Sequence, residues 1–142
     1  MTMALQFQII TPVRTALQAT VSSIQLPAVA GEMEILPGHA DLIAAVANGE
    51  LIYKPENGEA QSLFVGGGFL QVENEKVLLV TDTALAVDEI DHSAVQTAIE
   101  RAQTALRNSS TVLTREEQTY LAAQLAKQLA MLEYSRKKKP RV

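Results

Sequence analysis

The chain has 142 residues, 47% of them hydrophobic, enough for one ordinary domain or for a small domain with an appendage. It has no Cys, so disulfides and thiolate metal sites are excluded and a reducing compartment suits it. The formal net charge of -4 is unevenly spread: residues 1–91 carry twelve acids against three bases, residues 92–142 four acids against nine bases. Such a split points to two parts with different partners, or to helices that collect Lys and Arg on a solvated face.

The first ten residues, MTMALQFQII, are too short and too uncharged for a signal peptide. No run of about 18 apolar residues follows, so no membrane-spanning helix is predicted. From Leu5 the pattern is that of strands. Leu5, Phe7 and Ile9 alternate with Gln6 and Gln8; Leu17, Ala19 and Val21 keep a period of two, and Ile24 and Leu26 continue it in a second phase. Further strands are predicted at Glu32–Leu36, Leu51–Lys54, Gln61–Val65, Phe69–Glu73 and Val77–Thr81. Pro27, Pro37-Gly38, Asn48-Gly49, Asn57-Gly58, Gly66-Gly67-Gly68 and Asn74 punctuate them. Asn57-Gly58 reads as a hairpin turn, because both residues tolerate positive φ. Short strands at this spacing predict a sandwich or flattened barrel.

From Asp91 the period becomes helical. Val95, Ala98, Ile99, Ala102, Ala105 and Leu106 fall on one face, and Asp91 is placed to cap the helix. The cluster Arg107–Thr111 interrupts it. Thr114-Arg115-Glu116-Glu117 then fits a capping box, followed by a stripe of Leu121, Leu125, Leu129 and Leu132 flanked by Ala122, Ala126 and Ala130, with Pro140 as the stop. Two helices with a short link predict an antiparallel hairpin. Its apolar stripe must rest on the β part or on a partner.

Few residues are candidates for chemistry. Gly66-Gly67-Gly68 lacks a following Lys-Ser/Thr and is read as a turn or bulge rather than a phosphate loop. His39 and His92 are the two histidines, with no metal-ligand spacing between them. Glu32 and Glu34 share one face of a strand, where two like charges can raise a pKa for general acid work, or can form a solvated acidic face. The basic tail Arg136–Lys139 fits a solvated helix end first, an acidic protein partner second and, without interleaved aromatics in an acidic chain, nucleic acid a distant third.

Two blocks carry a resemblance. GEMEILPGHADLIAAVANGEL, from Gly31 to Leu51, holds a Gly-Glu, an apolar-Leu-Pro-Gly-His turn and a short apolar stretch ending at Gly49. FVGGGFLQVENEKVLLVTDTA, from Phe64 to Ala84, holds Gly-Gly-apolar-apolar-x-Val and an apolar strand ending in Asp-Thr-Ala. In this order, with two helices after them, they resemble the epsilon subunit of the rotary F-type ATP synthase. Two positions depart from that pattern: Glu34 stands where Gly is usual, and Asp41 where Pro is usual.

The resemblance implies an α+β, mostly β chain. Residues 1–86 would form a ten-stranded β-sandwich seated on the gamma subunit and the membrane c-subunit ring. Residues 87–142 would form a regulatory two-helix hairpin, folding down or extending along gamma toward the beta and alpha subunits of the catalytic head. The subunit would catalyse nothing, carry no cofactor or metal, and bind no nucleic acid. It would lie at the membrane through its complex, on the cytoplasmic side of a bacterial inner membrane or the organelle equivalent. Glu32, Glu34, Gly38, His39 and Asp41 would contact the c ring and gamma. Arg107, Arg115, Lys127, Arg136, Lys137, Lys138 and Lys139 would reach the catalytic head and inhibit hydrolysis. ATP-sensing members begin the first helix with Ile/Leu-Asp-x-x-Arg-Ala. Here Ile90-Asp91 remain but Ala94 stands in place of the Arg, so Ile90, Asp91 and Arg101 would be a vestigial nucleotide site. Two rival readings stay open: a hairpin that senses ATP directly, and an enzyme using Glu32, Glu34 and His39.

Overall fold

In β1 (Leu5–Ile10) the alternation predicted from sequence is present: Leu5, Phe7 and Ile9 are shut off from solvent while Gln6 faces out. The computed structural model describes residues 4–108 and 113–138. A tight turn follows β1, in which the Thr11 N–H donates to the Arg14 carbonyl at 2.9 Å. The chain then returns antiparallel as β2 (Thr15–Ala28). Val21 and Ile24 in β2 are both fully buried although they lie three apart. A bulge between Val21 and Ser23 takes up the odd residue. The second phase seen in the sequence is therefore a bulge within one strand.

β3 (Gly31–Ile35), β4 (Leu42–Val46), β5 (Gly49–Pro55), β6 (Gln61–Glu73) and β7 (Lys76–Leu85) complete the set. Antiparallel pairings run β1–β2, β2–β5, β5–β6 and β6–β7, and β7 pairs parallel with β1. The sheet thus returns on itself. β3 lies on the second half of β2, and β4 on the second half of β6. Inside, Leu5, Phe7, Ile9, Ile24, Leu26, Ile35, Leu51, Leu70 and Leu79 form a closed apolar core. Phe7 meets Tyr53 edge-to-face with ring centroids 6.3 Å apart.

The expected ten strands are seven among the described residues. The long strands β2 and β6 each serve two partners in succession and so count once. Gly66-Gly67-Gly68 sits where β6 changes partner, from β5 up to Val65 to β4 from Gly68 onward, and is strand rather than turn. A side chain at Gly68 would meet the Val80 carbonyl at 2.0 Å. β4 was not among the predicted strands. Asn57-Gly58 lies in the link between β5 and β6, yet neither residue uses positive φ. The two-residue hairpin turn is Asn74-Glu75, with φ of 50° and 65° between the paired Glu73 and Lys76.

Compact units are found at Met1–Val87 and Asp88–Val142. In the second, α1 (His92–Asn108) packs against α2 (Arg115–Lys138). Asp91 caps α1: its Oδ1 accepts from the Ala94 N–H at 3.1 Å. The capping box of α2 is reciprocal, Glu117 N–H to the Thr114 hydroxyl at 3.1 Å and Thr114 N–H to Glu117 Oε1 at 3.2 Å. Val95, Ile99 and Ala102 are the buried face of α1, as the periodicity predicted. The Leu stripe of α2 is a correction: Met131, Tyr134 and Ser135 are buried and Leu129 is exposed. Each four-residue step advances about 40° around a helix, so the stripe drifts: Leu121, Leu125 and Leu132 are half-buried and Leu129 is exposed. Part of the Arg107–Thr111 break, Lys139 and Pro140 lie outside the described residues.

Candidate partner interface

One end of the β unit is built from the loop Leu36–Asp41, the Asn74–Glu75 turn and the start of β1. The Gln6 N–H donates to the Glu75 carbonyl at 2.9 Å, tying the turn to β1. Gly38 has φ of 87°, in the left-handed region that favours glycine. Its N–H donates to Glu75 Oε1 at 2.8 Å. From the other side, the Asn74 N–H donates to Asp41 Oδ1 at 3.2 Å. Between them, His39 closes the turn by donating its N–H to the Leu36 carbonyl at 3.0 Å. The His39 Nδ1 lies 2.8 Å from the Ala40 carbonyl, a contact that is a hydrogen bond when the ring proton is on Nδ1. Leu36 stands exposed beside it.

Glu32 and Glu34 point outward from β3, as their spacing predicted. Glu34 accepts from the Gln25 side-chain amide at 3.1 Å. Together with Glu50 they line a surface depression also bounded by Met33 and Ile52. β3 pairs with β2 alone among the described strands, so these carboxylates sit on an edge strand, where charge discourages unwanted strand pairing. No hydrogen bond among the described residues joins either carboxylate to His39. The five residues predicted for the contact thus divide: Gly38, His39 and Asp41 belong to the loop end, and Glu32 and Glu34 to the β3 edge.

Next to the loop end runs a face that the sequence reading missed. Strand register sets Ile10, Val80, Phe69 and Ala45 opposite one another across β1, β7, β6 and β4. The adjacent row is Gln8, Leu78, Gln71 and Ile43, and the next is Gln6, Lys76 and Glu73. The face therefore grades from an apolar row, through a mixed row of Gln, Leu and Ile, to a polar and charged row as it approaches the loop end. Ile43 is 76% exposed, Phe69 65% and Val80 49%, so the apolar part meets solvent. A signal for it exists in the sequence: Phe69-Leu70 and Leu78-Leu79-Val80 are apolar in both strand phases, which fits a strand covered on both sides.

The helical candidates are spread along their elements. Ile90 is buried, and Asp91 is engaged in capping. Arg101 and Arg107 are exposed on α1; Arg115 is exposed at the start of α2, and Lys127 is half-buried in its middle. Arg136, Lys137 and Lys138 form the last turn of α2, where cations suit the helix dipole. Lys139 lies outside the described residues. Elsewhere, partial burial pushes the Tyr53 phenol above its ordinary pKa.

Residues 4–87 match the family described as ATP synthase, delta/epsilon chain, beta-sandwich domain. The chain belongs to the ATP synthase epsilon-chain family. It is 35% identical over 128 residues to the ATP synthase epsilon chain of Synechococcus sp., covering 90% of this chain and 89% of that protein. The epsilon chain of Lawsonia intracellularis is 39% identical over 106 residues, 75% of this chain and 79% of that one. In fold it is similar to a chain of the Euglena gracilis mitochondrial ATP synthase, determined as OSCP/F1/c-ring in rotational state 1. That match has a TM-score of 0.76 at 22% identity and covers 94% of this chain and 82% of the other. A chain of the Tetrahymena thermophila mitochondrial ATP synthase, from its central stalk and c ring, matches with a TM-score of 0.63 at 12% identity, over 92% and 96%. The two sequence blocks read from Gly31 and from Phe64 thus lie in the matched domain, and the epsilon subunit is the function they imply.

Proposed function

We propose that the chain is a non-catalytic rotor subunit that couples the c ring to the catalytic head through two surfaces of its β unit. The observation that carries this reading is the apolar row Ile10–Val80–Phe69–Ala45, an exposed sheet face of the kind that marks a protein contact. The gamma subunit covers this face. The Leu36–Asp41 loop grips the polar loops of the c ring, with the His39 ring and the exposed carboxylates as its hydrogen-bonding groups. The helical unit restrains ATP hydrolysis. Attachment to the membrane is through the complex, on the cytoplasmic side of a bacterial membrane; no helix among the described residues is long and apolar enough to cross a bilayer.

Binding of the chain to purified gamma tests the reading. Ile43→Asp and Phe69→Asp place charge on exposed positions, so the β unit stays folded, and affinity falls by about tenfold or more. Unchanged affinity in both variants removes this face from the gamma contact.

ATP is not a ligand of the chain in this reading. Asp91 is occupied with its own helix start, and Ala94 offers no cation to a phosphate. A bidentate Arg–phosphate contact contributes about 1.5–3 kcal/mol, roughly ten- to hundredfold in affinity. Calorimetry of the isolated chain with ATP therefore shows no micromolar binding, and such binding would bring back the nucleotide-sensing reading.

A further inference from the structure

We propose that Asp41 and Glu75 are positioning residues: a reciprocal clasp that fixes how the Pro37-Gly38-His39 turn is presented to the rotor partner. The proposal rests on the reading that this end of the β unit is a docking surface. Each side of the clasp supplies one carboxylate and one amide. The Glu75 side chain takes the Gly38 N–H at 2.8 Å, and the Asp41 side chain takes the Asn74 N–H at 3.2 Å. The two bonds join segments more than thirty residues apart and leave His39 on the span between Gly38 and Asp41.

Backbone conformation is the second observation. Asn74 and Glu75 both have positive φ, and the second position of such a two-residue turn ordinarily takes glycine. Asn tolerates the left-handed region through its short polar side chain, whereas Glu has no such local relief. Glu75 therefore holds an unfavourable backbone conformation while its side chain makes the bond to Gly38. Strain of this kind persists where the surroundings hold it, and it clusters at functional sites. The Gln6 N–H on the Glu75 carbonyl supplies one such hold.

The clasp separates stability from docking. Glu75→Gly removes the carboxylate and relieves the strained φ together. If Glu75 served only to stabilise the fold, this variant would lose stability. In the clasp it keeps or gains thermal stability, yet exchange of the Gly38 amide speeds up by about tenfold or more. Its affinity for the isolated c ring falls in parallel. Asp41→Ala has the matching effect on the Asn74 amide. Glu75→Gln and Asp41→Asn keep an acceptor oxygen and remove the charge, so they keep protection and most of the affinity.

Hydrogen exchange on the full chain and the affinity of the full chain for the isolated c ring are the two measurements. Unchanged Gly38 exchange in Glu75→Gly overturns the clasp. So does loss of ring affinity in Glu75→Gln equal to that in Glu75→Gly, since charge rather than geometry would then govern the contact. His39→Ala and Leu36→Asp probe the docking reading itself. If both leave ring affinity intact, the end is not a docking surface and the positioning role falls with it. If they weaken binding while Glu75→Gly does not, the docking reading stands and the clasp alone is wrong.

Discussion

Leu5, Ile9, Val21, Ile24, Leu26, Ile35, Leu51, Phe64, Val65, Leu70 and Leu79 in the β unit have no exposed surface at all. Across the 24 residues of α2, three are buried, and one of those is Ser135. Its hydroxyl donates back to the Leu132 carbonyl at 2.9 Å, which satisfies it without a partner from elsewhere. The β unit is closed by interlocking side chains, while α2 is a long helix held along part of one face with Tyr120 and Leu129 in solvent. The first architecture suits a fixed seat. The second suits an element that changes partners, because little packing is lost when it moves.

Paired truncations put numbers on that contrast. Leu79→Ala empties a fully enclosed site and costs about 2–5 kcal/mol of unfolding free energy. Leu129→Ala, on the open side of α2, stays within about 0.5 kcal/mol. Chemical denaturation of the full chain measures both. Comparable losses would show that α2 is packed as tightly as the β core.

Cutting the chain after Val87 is the next largest change. The β unit has its own core and its own closed hydrogen-bonding circuit, so it retains a β-type circular dichroism spectrum and its affinity for gamma. In the assembled enzyme the same cut raises ATP hydrolysis if the helical unit restrains it. Hydrolysis that stays unchanged across nucleotide conditions removes the inhibitory role.

Thr114→Ala tests how far the helical unit depends on local signals. It deletes one half of the capping box and costs about 1 kcal/mol. Amide exchange in the first turn of α2 rises, while that of β7 does not. If α2 exchange is unaffected, its start is held by something other than the cap.

These caps were legible in the sequence because each is a side-chain-to-backbone bond within four residues, a distance over which sequence order fixes geometry. The alternation of β1 was legible for the same reason. β4 was not: Ala44 and Ala45 carry little strand preference, and Ile43 on the solvent side blurs the alternation. The Leu stripe misled because equal four-residue spacing does not keep step with a 3.6-residue turn. Asn57-Gly58 matched a turn signature, yet its link is five residues long, and the two-residue turn fell to Asn74-Glu75, whose Glu is the unexpected choice. Within the candidate site, the Pro37-Gly38-His39 turn was read from its own residues. The bonds from Glu75 and Asp41 were not, because they form between loops that only the folded sheet brings together. The resemblance makes Asp41 a contact to the c ring and gamma; in the fold its Oδ1 accepts from the Asn74 backbone amide.

Charge supplies the smallest expected effect. The β unit is net acidic and the helical region net basic, so under the proposed role the exposed Arg115 and the cluster Arg136–Lys138 would be the cations that meet the catalytic head. Each exposed pair is worth at most about 1 kcal/mol, and salt screens it beyond about 8–10 Å at physiological ionic strength. Several acting together shift an equilibrium between restrained and free states by a few-fold, less than removal of the whole helical unit. Changing Arg115, Lys127, Lys137 and Lys138 to Ala together therefore raises hydrolysis by the assembled enzyme part of the way to the value reached on truncation after Val87. Added salt raises wild-type hydrolysis toward the same level and affects the fourfold variant less. If truncation activates while the variant and wild type respond alike to salt, the restraint is steric. The exposed apolar side chains of α2, Tyr120 and Leu129, are then the positions to mutate next.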